Sequence, residues 1–374
     1  QVGEQMPGRH RGEVIQLPQL QQELMELNRQ SGDRQITPVL RAGRTPGTVD
    51  IDLKVKDELP IHGGVEVNDR YTPNTTHTRA SINLSFDNLY QSFHRLLLQY
   101  QLSPEKIDET RVLAATYIAP VGRGGNLLAV YAVDTNSDFA TIGSIGSLSV
   151  LGNGRIYGAR FILPLPEGAG YFHSMSLGGD FKDFDDTITQ PDGLADTTPI
   201  QYVSWSAQYS GTLRTQHTLT SFNIGPSFGI RGLGNSPDEF EFKRYKGKAD
   251  YFYLRADAQH ERPLLWGTRA FVRAAGQYTN EPLISNEQFA VGGAESVRGY
   301  VESDELGDNG AYGTFELRSP QLFEWNQLQQ LFAFAFYDAG VLGILEPLPS
   351  SDGEKVSRKH LYSWGVGFRL SAFG

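Results

Sequence analysis

Residues 251–261 read Tyr-Phe-Tyr-Leu-Arg-Ala-Asp-Ala-Gln-His-Glu, and they split cleanly by parity. Phe252, Leu254, Ala256 and Ala258 form one set; Tyr251, Tyr253, Arg255, Asp257, Gln259 and Glu261 form the other. A β-strand sends successive side chains to opposite faces, so this stretch predicts a strand with one apolar and one polar face. The pattern recurs on both sides of it. In Thr78–Asp87 the apolar set is Ala80, Ile82, Leu84 and Phe86, and in Tyr202–Gly211 it is Val203, Trp205, Ala207 and Tyr209. Trp266–Tyr278 sets Trp266, Ala270, Val272, Ala274 and Tyr278 against Arg269, Arg273 and Gln277. Ala311–Arg318 sets Phe315 and Leu317 against Glu316 and Arg318. Tyr362–Arg369 sets Tyr362, Trp364, Val366 and Phe368 against Ser363, Gly365, Gly367 and Arg369. Val112–Val121 is apolar on both faces, so parity leaves its orientation open.

From Ile61 onward about fourteen such segments, roughly 10 to 15 residues each, follow one another with almost no helical periodicity. Strands of soluble sheets average about 5 to 6 residues, whereas about 9 to 11 are needed to cross a bilayer at a tilt. Trp266 and Tyr278 stand near the ends of an apolar face, where a membrane barrel carries its aromatic girdles. The connections alternate as well. Short turns fall near 88–93, 122–125, 166–170, 213–216, 262–265 and 321–326. Longer polar connections fall near 135–153, 188–198, 234–249, 281–309 and 344–360. Short turns at one end and long loops at the other are the habit of a transmembrane barrel. Lipid offers the backbone no hydrogen bonds, so the spanning sheet has to close, and its polar face then lines a wet lumen. The fold class is therefore mainly β, a transmembrane antiparallel β-barrel over residues 61–374.

Composition agrees. The 374 residues carry 43 acidic and 33 basic side chains, a formal net charge of -10, which does not suit a phosphate-binding surface. There is no cysteine, so disulfides and thiolate metal sites are excluded. The 21 Phe, 17 Tyr and 4 Trp exclude a disordered chain. No apolar run approaches the roughly 18 to 20 residues of a membrane helix. The chain starts at Gln1 with no charged-then-apolar leader, which reads as a processed or truncated start.

Residues 1–60 differ. Leu17, Leu20, Leu24 and Leu27 are spaced for a helix over Gln16–Gln30, with Pro18 in its first turn. Two strands, Gln35–Ala42 and Thr48–Lys56, follow around a turn at Arg44–Gly47. A helix on a small hairpin is too little to be secure alone, so part of a domain is expected to precede Gln1.

Catalytic patterns are poor. The eight histidines show no paired metal-ligand spacing. Gly152–Gly158 lacks the phosphate-loop glycine spacing and Gly143–Ser147 is no nucleophile elbow. No enzyme activity, cofactor or metal is expected. The polar faces instead nominate a lumen lining of Arg255, Asp257, Gln259, Arg269, Arg273, Glu316 and Arg318, with Tyr253 beside them, in which ion pairing is the ordinary role of the charges.

Two stretches stand apart. Val297-Arg298-Gly299-Tyr300 lies in the longest loop, after the eleventh strand. Phe336, Asp338 and Gly340 mark the end of the thirteenth, read over Leu331–Phe336. An arginine on a glycine-rich loop can enter a lumen only if it meets an anion there, and Asp338 offers a carboxylate for a bidentate pair. Gly292, Gly293 and Gly299 give the backbone its tight path. Asp338 shares parity with Phe332, Phe334 and Phe336, so a luminal Asp338 makes three phenylalanines luminal unless a bulge intervenes.

At these two stretches the chain resembles the barrel superfamily of outer-membrane protein insertases and translocases. Within it, the likeness is to two-partner secretion transporters of the haemolysin secretion/activation type. That family carries V-R-G-Y/F at the tip of a loop that folds back into the lumen, and F-x-D-x-G on the strand next but one. Residues 1–60 resemble the end of a polypeptide-transport-associated (POTRA) domain. The resemblance implies a barrel of about sixteen strands, of which about fourteen are legible here; three follow the arginine motif where the family has five, so a fragment lacking the last strands is expected. It also implies export of an unfolded partner exoprotein without ATP, recognition of that partner by the POTRA part in the periplasm, an outer-membrane location in contact with lipid, no nucleic acid and a monomeric barrel. An insertase of the same superfamily is the alternative, and a passive porin a weaker one.

Overall fold

The computed structural model describes residues 34–42, 48–73, 75–122, 125–137, 139–142, 148–168, 170–189, 195–323, 328–348 and 355–372. Its main body is one antiparallel sheet of 14 strands, each paired with its neighbours in chain order. They are β1 (Ile61–Asn68), β2 (Arg79–Leu89), β3 (His94–Leu102), β4 (Arg111–Val121), β5 (Asn126–Asn136), β6 (Gly154–Pro164) and β7 (Tyr171–Thr189). Then come β8 (Ala195–Arg214), β9 (Leu219–Gly229), β10 (Phe252–Pro263), β11 (Arg269–Thr279), β12 (Asn309–Arg318), β13 (Leu328–Gly343) and β14 (Arg358–Ala372). No ladder joins β1 to β14 among the described residues.

The sheet curls around the 280–308 segment. That segment hydrogen-bonds both to β12 and β13 and, through Glu302, to Arg70 and the Tyr71 carbonyl just after β1. Strands as far apart as β4 and β10 meet in one buried cluster that includes Val112, Ile156, Tyr202 and Tyr251. The outward face is apolar and open: Val272, Phe315, Tyr337 and Trp364 are all exposed. In water such a surface would aggregate; against acyl chains it is matched. The 11 residues of β11 extend about 34 Å along the strand, or about 25 Å of bilayer at a tilt of roughly 45°.

Parity assigns the ambiguous strand too. In β4, Val112, Ala114 and Thr116 are buried and Leu113 is exposed, so its even positions face inward. Several boundaries differ from the expectation. Trp266 is not in β11: it sits at φ +57° in a 3-10 turn, Leu265–Gly267, and is 91% exposed. Asp338 lies inside β13, five residues before its end, because the strand continues to Gly343. The 188–198 connection is mostly strand, since β7 and β8 run 19 and 20 residues and pair out to Thr189↔Ala195. The 135–153 connection adds a small hairpin of Phe139–Ile142 and Leu148–Leu151. The 234–249 loop holds a seven-residue helix, α1 (Pro237–Lys243), which the sequence reading missed because about two turns leave too short a run for a period to show.

Before β1, Arg34–Ala42 and Val49–Asp57 pair antiparallel in register from Arg34↔Asp57 to Ala42↔Val49. The expected helix over 16–30 and the turn at 44–47 lie outside the described residues. No described helix is long and apolar enough to cross a membrane.

Candidate functional site

The site is the place where the long loop meets the wall. After β11 the chain passes a 3-10 turn at Ser285–Glu287, pairs Phe289–Val291 with Glu305–Gly307, and between these two short strands sends residues 292–304 down the lumen. Gly292, Gly293 and Gly299 have φ of +119°, +107° and +89°, a region closed to most side chains. At Gly293 a Cβ would lie 2.2 Å from a Glu302 carboxylate oxygen, so no larger residue fits without moving the loop. Thr314 Oγ1 donates to the Ser296 carbonyl at 3.2 Å, and Arg298 reaches Glu316. Glu316 is seven residues along β12 from Asn309, about 23 Å of strand or about 16 Å of depth at a tilt of roughly 45°.

Arg298 is gripped on every edge. Its Nε and Nη2 donate to the two oxygens of Asp338 at 2.7 and 2.8 Å, a bidentate pair, and its backbone N–H donates to the same carboxylate at 3.0 Å. Nη1 donates to Glu316 at 2.9 Å. Asp338 is wholly buried and Glu316 nearly so. Buried charges of this kind are tolerated only when paired and hydrogen-bonded, and these are both. Glu316 also accepts from Arg318 and Arg369 at 2.7 Å each. Arg318 reaches on to Glu261, which in turn takes Arg269 at 2.8 Å. Two carboxylates of the loop-side network thus hold Arg298, Arg318 and Arg369 together.

The three phenylalanines of β13 are inward, with no register irregularity between Gln330 and Gly343. They are the aromatic half of the same network. The Arg298 guanidinium stands 3.6 Å from the Phe336 ring centroid, Arg369 stands 4.6 Å from Phe334, and Arg318 stands 5.9 Å from Phe332. These are cation–π distances, favourable where water is scarce. The rings lie flat because their partners on β14 are glycines. Phe336 pairs with Gly365 and Phe334 with Gly367. A Cβ on either glycine would come within 2.7 or 2.5 Å of the ring. The layer order is wall glycine, phenylalanine ring, arginine plane, with the carboxylates at the rim.

Gly340 serves the neighbouring layer. A Cβ there would meet Val291 at 2.8 Å and Val297 at 3.1 Å. Both valines are fully buried in a cluster with Phe289, Leu342 and Leu361. The valine before Arg298 therefore seats the loop through packing while the arginine seats it through charge. Tyr300 is half-exposed, and its hydroxyl is 3.5 Å from the Tyr362 carbonyl.

The other nominated lumen residues lie elsewhere. Arg255 donates to Gln277 and stands over Tyr253, Asp257 accepts from Asn223, and Arg273 pairs with Glu295 of the loop. Gln259 and Arg269 are on the inward parity near the short-turn end, exposed to the lumen. Sequence reasoning passed over a second anchor at the root of the loop. Glu287, 2% exposed, accepts from Lys182 at 2.5 Å, Tyr202 at 2.6 Å and Tyr253 at 2.8 Å. Above it Leu283 and Ile284 pack with Phe240 of α1 and Tyr251. Asp308, fully buried, accepts from Leu283 N–H, Gln288, Leu345 N–H and Arg244, which ties three outer loops to one carboxylate. No signal in the sequence points to these, because their donors come from strands and loops 20 to 105 residues away with no common spacing. Among the described residues no group of His, Asp and Glu side chains is placed to hold a metal.

The family model for haemolysin secretion/activation protein ShlB/FhaC/HecB matches residues 47–370. The outer membrane transporter CdiB of Dickeya dadantii (strain 3937) is 24% identical over 330 residues, 82% of this chain and 54% of that protein. The chain thus spans about half the length of this curated relative. Among solved structures, CdiB from Escherichia coli superposes with a TM-score of 0.73 at 19% identity, over 99% of this chain and 67% of that one. CdiB from Acinetobacter baumannii gives 0.66 at 18%, over 98% and 64%. BamA from Haemophilus ducreyi lacking POTRA domains 1-3 gives 0.62 at 14%, over 99% and 75%. At these identities the superpositions speak for the barrel fold alone, whereas the family match extends over most of the sequence. An antiparallel sheet wrapped around an arginine-bearing loop and a sequence matched from the hairpin to the last strand lead to one assignment: this chain belongs to the haemolysin secretion/activation family ShlB/FhaC/HecB, outer-membrane β-barrels of two-partner secretion.

Proposed function

We propose that this chain is the pore of a two-partner secretion transporter that passes an unfolded exoprotein outward without ATP. Residues 61–374 are read as the membrane barrel and residues 1–60 as the C-terminal part of a POTRA domain on the periplasmic side. The hairpin Arg34–Ala42 and Val49–Asp57, paired antiparallel directly before the barrel, supports the second reading. Folding of the exoprotein outside supplies the direction of transport. The barrel acts as a monomer and as a conduit, with no chemical step of its own.

The observation that carries the reading is the Arg298 clamp. A loop held about 16 Å down a polar lumen by a bidentate ion pair is an obstruction that can be released as one unit. A passive porin has no use for it. Replacement of Arg298 by Ala removes the three side-chain bonds and leaves only the backbone N–H to Asp338. The expected result is a loss of a co-expressed partner exoprotein from the culture medium of at least about tenfold, the equivalent of roughly 1.4 kcal/mol in loop position. The barrel itself is expected to remain assembled, read by its heat-dependent migration in gels. Secretion at the wild-type level by an assembled variant would overturn the role of the loop.

A further inference from the structure

The lipid-facing side of the barrel carries a charged patch on β4, β5 and β6. These strands lie side by side, and parity sends Arg111, Asp134 and Arg155 outward, since Val112, Val133 and Ile156 next to them are buried inward. Arg155 stands directly opposite Asp134 in register, and Arg111 lies two residues further toward the long loops. The two guanidiniums meet on one carboxylate: Arg111 Nη2 is 3.5 Å from Oδ1, and Arg155 Nε donates to Oδ2 at 3.1 Å. Two exposed cations thus share one anion. Asp183 and Asp185, outward on β7, form no ion pair with either arginine and mark the edge of the patch. From Val121 at the short-turn end to Arg111, β4 covers about 34 Å of strand, or about 24 Å of depth at a tilt of roughly 45°. That is the height of a barrel's apolar band, so the arginines stand at its outer border, level with lipid headgroups. Near the same border β10, β11 and β13 present Phe252, Tyr278 and Val341, all exposed and uncharged.

We infer that this patch is a docking site for the phosphate groups of a phosphorylated glycolipid of the outer leaflet, with Arg111 and Arg155 as its donors. An exposed ion pair stabilises a fold only slightly, so folding alone gives little reason to set two arginines on one aspartate. A phosphate gives one: it accepts from both guanidiniums in their fork geometry and cancels the surplus positive charge. Asp134 takes one N–H from each arginine and leaves their other donors for the lipid. Directly below, Leu113, Val130 and Tyr157 are exposed on the outward face and give acyl chains an apolar bed. Charge above and apolar surface below, on the same three strands, match an anionic lipid; a free anion would use only the upper half. The patch faces away from the lumen, so the inference does not depend on the transport reading.

The test uses the intact protein, purified in detergent from outer membranes and titrated with bisphosphorylated lipid A, with occupancy read by native mass spectrometry. The wild type is expected to bind this lipid about tenfold more tightly than lipid A stripped of its phosphates, the scale of a pair of charge-assisted hydrogen bonds. Arg111→Gln with Arg155→Gln is expected to remove that preference. Arg111→Lys with Arg155→Lys is expected to keep part of it, because the charge stays and the fork is lost. Arg231→Gln with Lys355→Gln, the same charge change at two exposed positions in outer loops, is expected to leave it intact. Assembly of each variant is read by heat-dependent migration in gels. Excess inorganic phosphate is expected not to displace lipid A. Equal binding of the two lipids by the wild type, or an unchanged preference in the assembled glutamine variant, would overturn the site. A preference lost as fully in the loop variant would overturn its assignment to these two arginines. Displacement by inorganic phosphate would overturn the lipid as occupant. If the glutamine variant does not assemble, the comparison of the two lipids on the wild type decides alone.

Discussion

The wall formed by β12, β13 and β14 and the wall formed by β7, β8 and β9 come from the same kind of strand and behave oppositely. Both alternate apolar and polar, and both turn the apolar side to lipid. On the first wall the inward set is Glu316, Arg318, Asp338, three phenylalanines and Arg369, every one of them committed to the loop or to its network. On the second, short of Asp180, Lys182 and Tyr202, it is serines, Gln208, Asn223 and glycines, beside an open chamber. The difference teaches that a barrel's alternation only reserves an inward face; the chemistry placed there decides whether that face binds the loop.

Four substitutions break or sharpen this contrast. Asp338→Ala has the largest expected effect. It strands a guanidinium beside a single remaining carboxylate, at a cost of about 3–5 kcal/mol in loop seating. Trypsin added to assembled barrels is expected to cut within 292–304 in this variant and to spare the wild type. Gly340→Leu leaves every charge in place and pushes on Val291 and Val297; about 1–3 kcal/mol is expected, visible as a lower temperature of the migration shift. Phe336→Leu keeps the volume roughly and removes the ring under Arg298. The expected loss is about 0.5–2 kcal/mol, with cleavage of the loop intermediate between wild type and Asp338→Ala. Ser206→Ala marks the other wall: within about 0.5 kcal/mol of wild type and no change in loop cleavage. A response to Ser206→Ala as large as that to Phe336→Leu would mean that the two walls are coupled and the contrast is false.

A finer comparison concerns the two ends of the inserted segment. Near its tip, Arg298 is held by charge and by an aromatic floor; at its root, Glu287 is held by one ammonium and two phenols. The polarity is reversed, cation in the loop at the tip and anion in the loop at the root. Each anchor therefore matches its own stretch of wall and neither can substitute for the other.

Much of the architecture is legible in the chain itself. The period of two in Tyr251–Glu261 or Tyr362–Arg369 is a local property of extended backbone, so it names both the strand and its two faces. The alternation of short and long connections orients the strands, and the spacing of Arg298 and Asp338 puts a cation and an anion on adjacent parts of the barrel. Other features needed the assembled sheet. Parity alone cannot say which side of Val112–Val121 is inward, since both sides are apolar; pairing with β5 and contact with the cluster around Tyr202 decides it. The phenylalanines of β13 share the parity of Asp338, but why a luminal face carries three rings shows only when the glycines of β14 and the arginines across the lumen are beside them. Glu287 finds its donors at positions 182, 202 and 253, and no local pattern links these numbers. Local periodicity follows from two backbone dihedrals per residue, and a sequence displays it directly. Which wall binds the loop depends on which side chains from distant strands face one another, and that is settled only when the sheet has curled and the loop has gone in.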